Sequence, residues 1–242
     1  MFLTAARLDD SPEPLEPYLR DLGVVQALRS SPLRFRAPVT VITGENGVGK
    51  STLIEALAVG MRANPEGGSR HARFQTVGKS VSPLGSLLTL SRRENPRDVF
   101  FLRGESYLNV ARYYEDLDPA PRGGPRMDDL LEMSHGQGLM ALIERRFHDH
   151  GLFLLDEPEA GLSVLRQLEL LGRLYHLARR GSQIIMATHS PVLLAIPEAQ
   201  IWEVTAGGVE TVAFDAAESV RAAREFVADP RGTARFMVGE GE

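Results

Sequence analysis

The sequence predicts an α/β fold built on a mostly parallel sheet with helices on both faces. Three observations predict it. Four short apolar runs, 39–43, 99–102, 152–155 and 183–187, read as strands buried on both sides. Segments with helical spacing lie between them, at 50–62, 137–149 and 162–180. A glycine-rich turn separates the first run from the first of these helices, the arrangement of a strand, loop and helix in an open α/β sheet.

Taken in order, residues 2–8 are expected as an edge strand. Val39-Thr40-Val41-Ile42-Thr43 is a β-branched run that stops at Gly44, and Lys50 to Arg62 has helical spacing. Val99-Phe100-Phe101-Leu102 and Leu152-Phe153-Leu154-Leu155 are the next buried strands, with a helix over 137–149 before the second. In 162–180 the helical spacing of Leu162, Leu165, Leu168, Leu171 and Leu174 predicts the buried stripe, with Gly181 as C-cap. Gln183-Ile184-Ile185-Met186-Ala187 is the fourth strand, and 200–205 with 209–214 form a hairpin around Gly207-Gly208. Proline- and glycine-rich breaks at 11–17, 64–69 and 118–125 are short and flanked by patterned sequence, so they read as loops inside one domain.

Composition narrows the function classes. At 242 residues, with 43% hydrophobic and 24% charged residues, the chain has ordinary globular proportions, which argues against disorder. The absence of cysteine excludes disulfides, thiolate zinc sites and cysteine nucleophiles. No uncharged apolar run approaches the roughly 20 residues of a membrane span, and residues 1–7 lack a signal pattern. The expectation is a cytoplasmic protein without membrane insertion. The net charge of −5 is unevenly spread: residues 62–112 hold nine Arg or Lys against four Asp or Glu, a basic segment suited to anions, DNA among them. Of 27 basic residues only Lys50 and Lys79 are lysines, so a lysine marks a position where a compact ammonium serves and a planar guanidinium does not.

Lys50 sits in such a position. Gly44-Glu45-Asn46-Gly47-Val48-Gly49-Lys50-Ser51 matches the phosphate-binding loop pattern, which arises by chance about once in 500 chains of this composition. Glycines let successive backbone N–H groups turn inward as an anion nest, and the following helix adds its positive end. Lys50 would reach the β- and γ-phosphates of a bound nucleotide, Ser51 would ligate Mg²⁺, and Thr52 continues the loop into the helix. The run 152–155 then delivers Asp156 and Glu157 to the C-terminal end of a buried strand, where ligands of open α/β sheets bind. There Asp156 would hold Mg²⁺ through water and Glu157 would polarise the attacking water.

With these motifs on hand, the chain resembles the ABC-type ATPases over nearly its whole length. Met133-Ser134-His135-Gly136-Gln137 is similar to that family's Leu-Ser-Gly-Gly-Gln signature, with His135 in place of the first glycine. The resemblance implies that Ser134, Gly136 and Gln137 bind the nucleotide held by a second subunit. It also implies a dimer-contact loop at Ala160-Gly161-Leu162-Ser163 and a switch histidine, His189, at the γ-phosphate. The family's metal-sensing glutamine is missing, and Glu105 stands nearest its expected place, with Gln75 a poorer candidate.

Asp156-Glu157-Pro158-Glu159 and Thr188-His189-Ser190-Pro191 depart from the transporter pattern and resemble the RecF-like and OLD-like non-transporter branch. The run Phe100 to Ala111 is similar to stand-alone bacterial AAA/ABC ATPases. The fold this implies is an ABC ATPase head over residues 1–242: a parallel core sheet, an antiparallel β lobe near the N-terminus and a helical signature lobe over about 106–150. The activity it implies is Mg²⁺-dependent ATP hydrolysis coupled to an ATP-sandwiched homodimer. Three roles remain open: a DNA-linked or genome-defence switch, the energising subunit of a transporter, and a nucleotide sensor that recruits a partner protein.

Overall fold

A computed structural model of the chain describes residues 1–9, 15–69, 72, 82–104, 107–117 and 133–239. Its centre is a seven-stranded sheet. Five strands run parallel: β3 (Val39–Gly44), β6 (Asp98–Arg103), β7 (Gly151–Asp156), β8 (Gln183–Ala187) and β9 (Gln200–Thr205). With β4 (Gly68–Ser69) and β10 (Gly208–Val212) antiparallel at the two edges, the order is β10-β9-β3-β8-β7-β6-β4. The four apolar runs are therefore the four central strands, and β7 is buried along its whole length.

Because successive strand residues point to opposite faces, each run feeds two cores. Val99, Phe101, Leu152 and Leu154 face Leu53, Ile54 and Leu57 of α3 (Lys50–Gly60). Phe100, Leu102, Phe153 and Leu155 face the other way, into Leu139, Leu142 and Ile143 of α5 (His135–Arg146) and Leu170 and Leu174 of α6 (Val164–Arg179). Helices on both faces leave no strand of this centre in contact with water, which is why the runs read as continuous rather than alternating. Among the described residues no helix is long and apolar enough to cross a membrane.

The N-terminal strand departs from expectation. β1 (Leu3–Leu8) is the middle of a separate antiparallel sheet, between β2 (Leu33–Arg34) and β5 (Leu88–Arg92), not an edge. Its partners lie far away in sequence, so a local pattern carries no sign of them. Gln183 ties this lobe to the central sheet: its buried amide accepts from Phe2 N at 2.8 Å and Leu3 N at 2.9 Å and donates to Leu3 O at 2.8 Å. Two N-terminal helices, α1 (Pro17–Arg20) and α2 (Gly23–Ser30), follow, and α2 donates from Val24 N to Val48 O in the glycine-rich loop.

The predicted stripe of α6 is also corrected. Leu165 and Leu168 are 77% and 51% exposed, whereas Leu170, Leu174 and Leu177 are buried. Five leucines three residues apart drift round a helix of 3.6 residues per turn, so they cannot share one face. The helix ends at Arg179, with Arg180 as C-cap and Gly181 beyond it at φ 89°. The helical lobe is represented by α4 (Tyr107–Leu117) and α5, which begins at His135, ahead of the predicted 137–149, and stops at Arg146, short of its predicted end. Glu105, Gln75 and residues 118–132 lie outside the described residues. Past β8 come the short α7 (Pro191–Leu194), the hairpin β9–β10, and α8 (Glu218–Ala228) with α9 (Pro230–Met237).

Candidate functional site

The glycine-rich loop leaves β3 at Gly44 and enters α3 at Lys50. Gly44, Gly47 and Gly49 have φ of 135°, 83° and 99°, a backbone that residues with a Cβ resist. Gly49 is confined as well: a Cβ there would sit 2.6 Å from Val24 Cγ2. Gly47 meets nothing within 4 Å, and Glu45, Asn46 and Gly47 form an open crest. Lys50 is only 5% exposed, and its Nζ turns back over the loop to donate to Gly44 O at 2.8 Å and Glu45 O at 2.7 Å. Burial lowers the lysine's pKa below 10.5, while Glu157, Asp156 and Glu159 oppose the shift. The strand-end carboxylates thus act electrostatically on the ammonium that closes the loop. Ser51 and Thr52, in the first turn of α3, are half-buried beside it.

Asp156 and Glu157 come from the end of β7. Asp156 is 3% exposed. Its Oδ2 accepts from Arg103 Nε at 3.0 Å, and its Oδ1 is buried with no hydrogen-bond partner. Glu157 has φ 48°, held there by its own N–H on Ala187 O and by its carbonyl accepting from Ala160 N. His189 follows β8, with Nε2 3.8 Å from Glu157 Oε1, and its backbone N–H donates to Glu159 Oε1 at 2.8 Å. The loop thereby brings Lys50, Asp156, Glu157, Glu159 and His189 together. A buried carboxylate oxygen without a donor, next to an ammonium and a cradle of N–H groups, suits a hydrated divalent cation carried in with a phosphate chain.

The predicted signature opens α5. Ser134 is exposed and precedes α5; its N–H and Oγ both donate to Gln137 Oε1, at 3.1 and 2.8 Å. The His135 ring lies edge-on against Tyr107, 4.6 Å between centroids, and abuts Gly161, whose Cβ would stand 2.5 Å from it. Gly136 lies against Leu162 in the same way. The histidine that departs from the signature is thus packed within its own chain, between α4 and the loop 160–163.

Arg103 and Glu159 were missed by sequence reasoning. Arg103 also donates from Nη2 to Glu55 Oε2 at 3.0 Å, and Phe101 lies under its guanidinium at 5.4 Å. Burial alone would lower its pKa, but the hydrogen bonds and negative charges of Glu55 and Asp156 outweigh that and raise it. The available signal was a basic residue ending an apolar strand one position before a glycine.

Comparison with known proteins agrees with this geometry. The family described as "AAA domain, putative AbiEii toxin, Type IV TA system" matches residues 131–195, and a second AAA domain family matches 25–92. The chain is 35% identical over 208 residues to a "Putative ABC transporter ATP-binding protein" of Streptomyces coelicolor, covering 76% of this chain and 35% of that relative. It thus spans about a third of that protein's length. It is 33% identical over 161 residues to the cytochrome c biogenesis ATP-binding export protein CcmA of Mesorhizobium japonicum, covering 63% of this chain and 78% of CcmA. Its fold is similar to that in "an inward-facing conformation of a putative metal-chelate type ABC transporter", at a TM-score of 0.51 and 16% identity over 92% of this chain and 88% of that one. A shared loop, a shared sheet and a relative matched over most of its length make this chain a member of the ABC-type ATPases, an ATP-binding domain of that family.

Proposed function

We propose that the chain hydrolyses ATP with Mg²⁺ as one ATPase head, and that its working unit is a homodimer with two nucleotides buried between the copies. The observation that carries this reading is the buried Lys50 ammonium folded over the glycine loop at the end of β3, with Asp156 and Glu157 at the matching end of β7, separated from β3 only by β8. In this reading the loop N–H groups from Gly44 to Thr52 and Lys50 bind the phosphates, and Ser51 and Asp156 hold the cation, with Glu105 a further oxygen donor. Mg²⁺ offsets the charge of the phosphate chain when bound. Glu157 accepts the proton of the water that attacks the γ-phosphorus, while ADP leaves with the electron pair of the broken bond. His189, 3.8 Å from Glu157, orients that carboxylate and the γ-phosphate. Ser134, Gly136 and Gln137 close the site of the second copy, an isologous arrangement supported by the exposure of Ser134.

Glu157→Gln tests it. The amide cannot take a proton, so turnover should fall at least about 100-fold while ATP still binds. Light scattering should show a dimer of this variant in ATP and Mg²⁺ and a monomer in ADP or without nucleotide. A variant that hydrolyses near the parent rate, or stays monomeric in saturating ATP, refutes the reading. For the biological role, the two ATP-binding relatives favour the energising subunit of a transporter. The match over 131–195, the Asp156-Glu157-Pro158-Glu159 and Thr188-His189-Ser190 variants and the basic segment 62–112 favour a DNA-linked or genome-defence switch. Stimulation of the ATPase by DNA, weakening steeply with salt, selects the second.

A further inference from the structure

We propose that Arg103 is a positioning residue that serves as a resident counter-cation for Asp156 and sets how much divalent metal the site requires. The proposal rests on reading Asp156 as the cation-bearing carboxylate. β6 and β7 run parallel with Arg103 paired to Asp156 in register, so the guanidinium stands at the strand end beside that carboxylate. It forks between two elements: Nε to Asp156 Oδ2 and Nη2 to Glu55 Oε2, both at 3.0 Å. Glu55 lies on α3, five residues after Lys50, and its other oxygen accepts from Ser82 N at 2.8 Å. The guanidinium carbon itself lies over the Phe101 ring, 5.4 Å from its centroid. β6, braced by α3, therefore holds Asp156 by one oxygen, and Oδ1 is the oxygen left without a donor.

Two consequences follow from charge and geometry. A carboxylate fixed through Oδ2 presents Oδ1 in one orientation, so its ordering entropy is met by the fold before any cation arrives. The same permanent positive charge repels a divalent ion next to it, while Glu55 draws part of the guanidinium's charge away from Asp156. Arg103 therefore lowers the affinity of the empty site for free metal and reserves it for metal that arrives with a phosphate chain. A lysine would keep the charge that sets the metal requirement but not the fork that spans both carboxylates and ties the strand end to α3.

The experiment is a Mn²⁺ titration of the full chain followed by electron paramagnetic resonance, with a non-hydrolysable ATP analogue and without nucleotide. Arg103→Gln should lower the half-saturating Mn²⁺ concentration by about tenfold and allow Mn²⁺ to bind without nucleotide. Glu55→Gln should raise it by about tenfold, because the whole guanidinium charge then falls on Asp156. Arg103→Lys, which keeps the charge but not the fork, should melt lower yet keep the metal requirement within about threefold of the parent. A purely architectural triad would move Arg103→Gln and Glu55→Gln in the same direction, and that result overturns the proposal. If Arg103→Gln fails to fold, an unchanged or lowered metal requirement in Glu55→Gln overturns it alone. A parent chain that binds neither nucleotide nor Mn²⁺ overturns the ATP site itself, and this proposal with it.

Discussion

Replacing Gly104 with alanine tests how tightly Glu157, the proposed general base, is held. Gly104 follows Arg103 at the end of β6, and its backbone runs directly beneath Glu157. A Cβ on it would lie 2.1 Å from the Glu157 carbonyl oxygen and 3.0 Å from Ala160 Cβ. Real Cβ atoms do not approach backbone oxygens so closely, so one of the two main chains must retreat by about 1 Å. Neither is free to do so at low cost. Glu157 is anchored by its N–H on Ala187 O at 2.9 Å, and the carbonyl in question accepts from Ala160 N at 3.0 Å. Overpacking of this kind costs about 1–3 kcal/mol, which for a chain of this size lowers Tm by about 2–4 °C per kcal/mol. The larger effect is on chemistry, since a displacement of about 1 Å at a reacting group costs about 100-fold in rate. Gly104→Ala should therefore bind ATP within a few-fold of the parent by calorimetry, melt several degrees lower, and release phosphate about 100-fold more slowly. Hydrolysis within about threefold of the parent would show that Glu157 does not depend on this contact, or that it is not the base.

Two further substitutions probe other parts of the same frame. Burial lowers the Lys50 pKa, so the folded state holds that proton less tightly than the unfolded state. Stability contributed by this group is then lowest at neutral pH and recovers as pH rises through the lowered pKa towards 10.5. Relative to Lys50→Met, the parent should gain Tm over that alkaline window, while the variant loses ATP binding at every pH; a constant Tm difference across the window would contradict the assignment. Gln183→Leu strands the N–H groups of Phe2 and Leu3 in the interior, at about 1–3 kcal/mol each. Amide exchange of β1 should then rise well before that of β3, and equal protection of the two strands would show that the Gln183 amide is not the anchor of the N-terminal lobe.

Much of this protein was legible in the sequence because its determinants are local. The glycine loop is a pattern of backbone conformations, and Gly44, Gly47 and Gly49 do occupy positive φ, where a side chain is strained. The central strands declared themselves because burial on both faces demands an unbroken apolar run. Asp156 and Glu157 were visible because such a run ends in them. The sequence by itself therefore determined the parallel sheet, the phosphate-type loop and the two carboxylates that meet it.

Tertiary structure decided the rest, because it depends on which strand ends lie side by side. Arg103 is 53 residues from Asp156 and 48 from Glu55, and only the parallel pairing of β6 with β7 brings the three charges into one network. Glu159 meets His189 because β7 and β8 are neighbours, and His135 abuts Gly161 because α5 packs beside the loop that follows β7. β1 became the middle strand of its own antiparallel sheet through partners at 33–34 and 88–92 that no short window contains. Leu165 and Leu168 ended in solvent because helical rotation, not leucine spacing, decides which side of α6 faces the sheet. Local motifs state what chemistry a chain can hold; packing across the sheet decides which charges stand beside it.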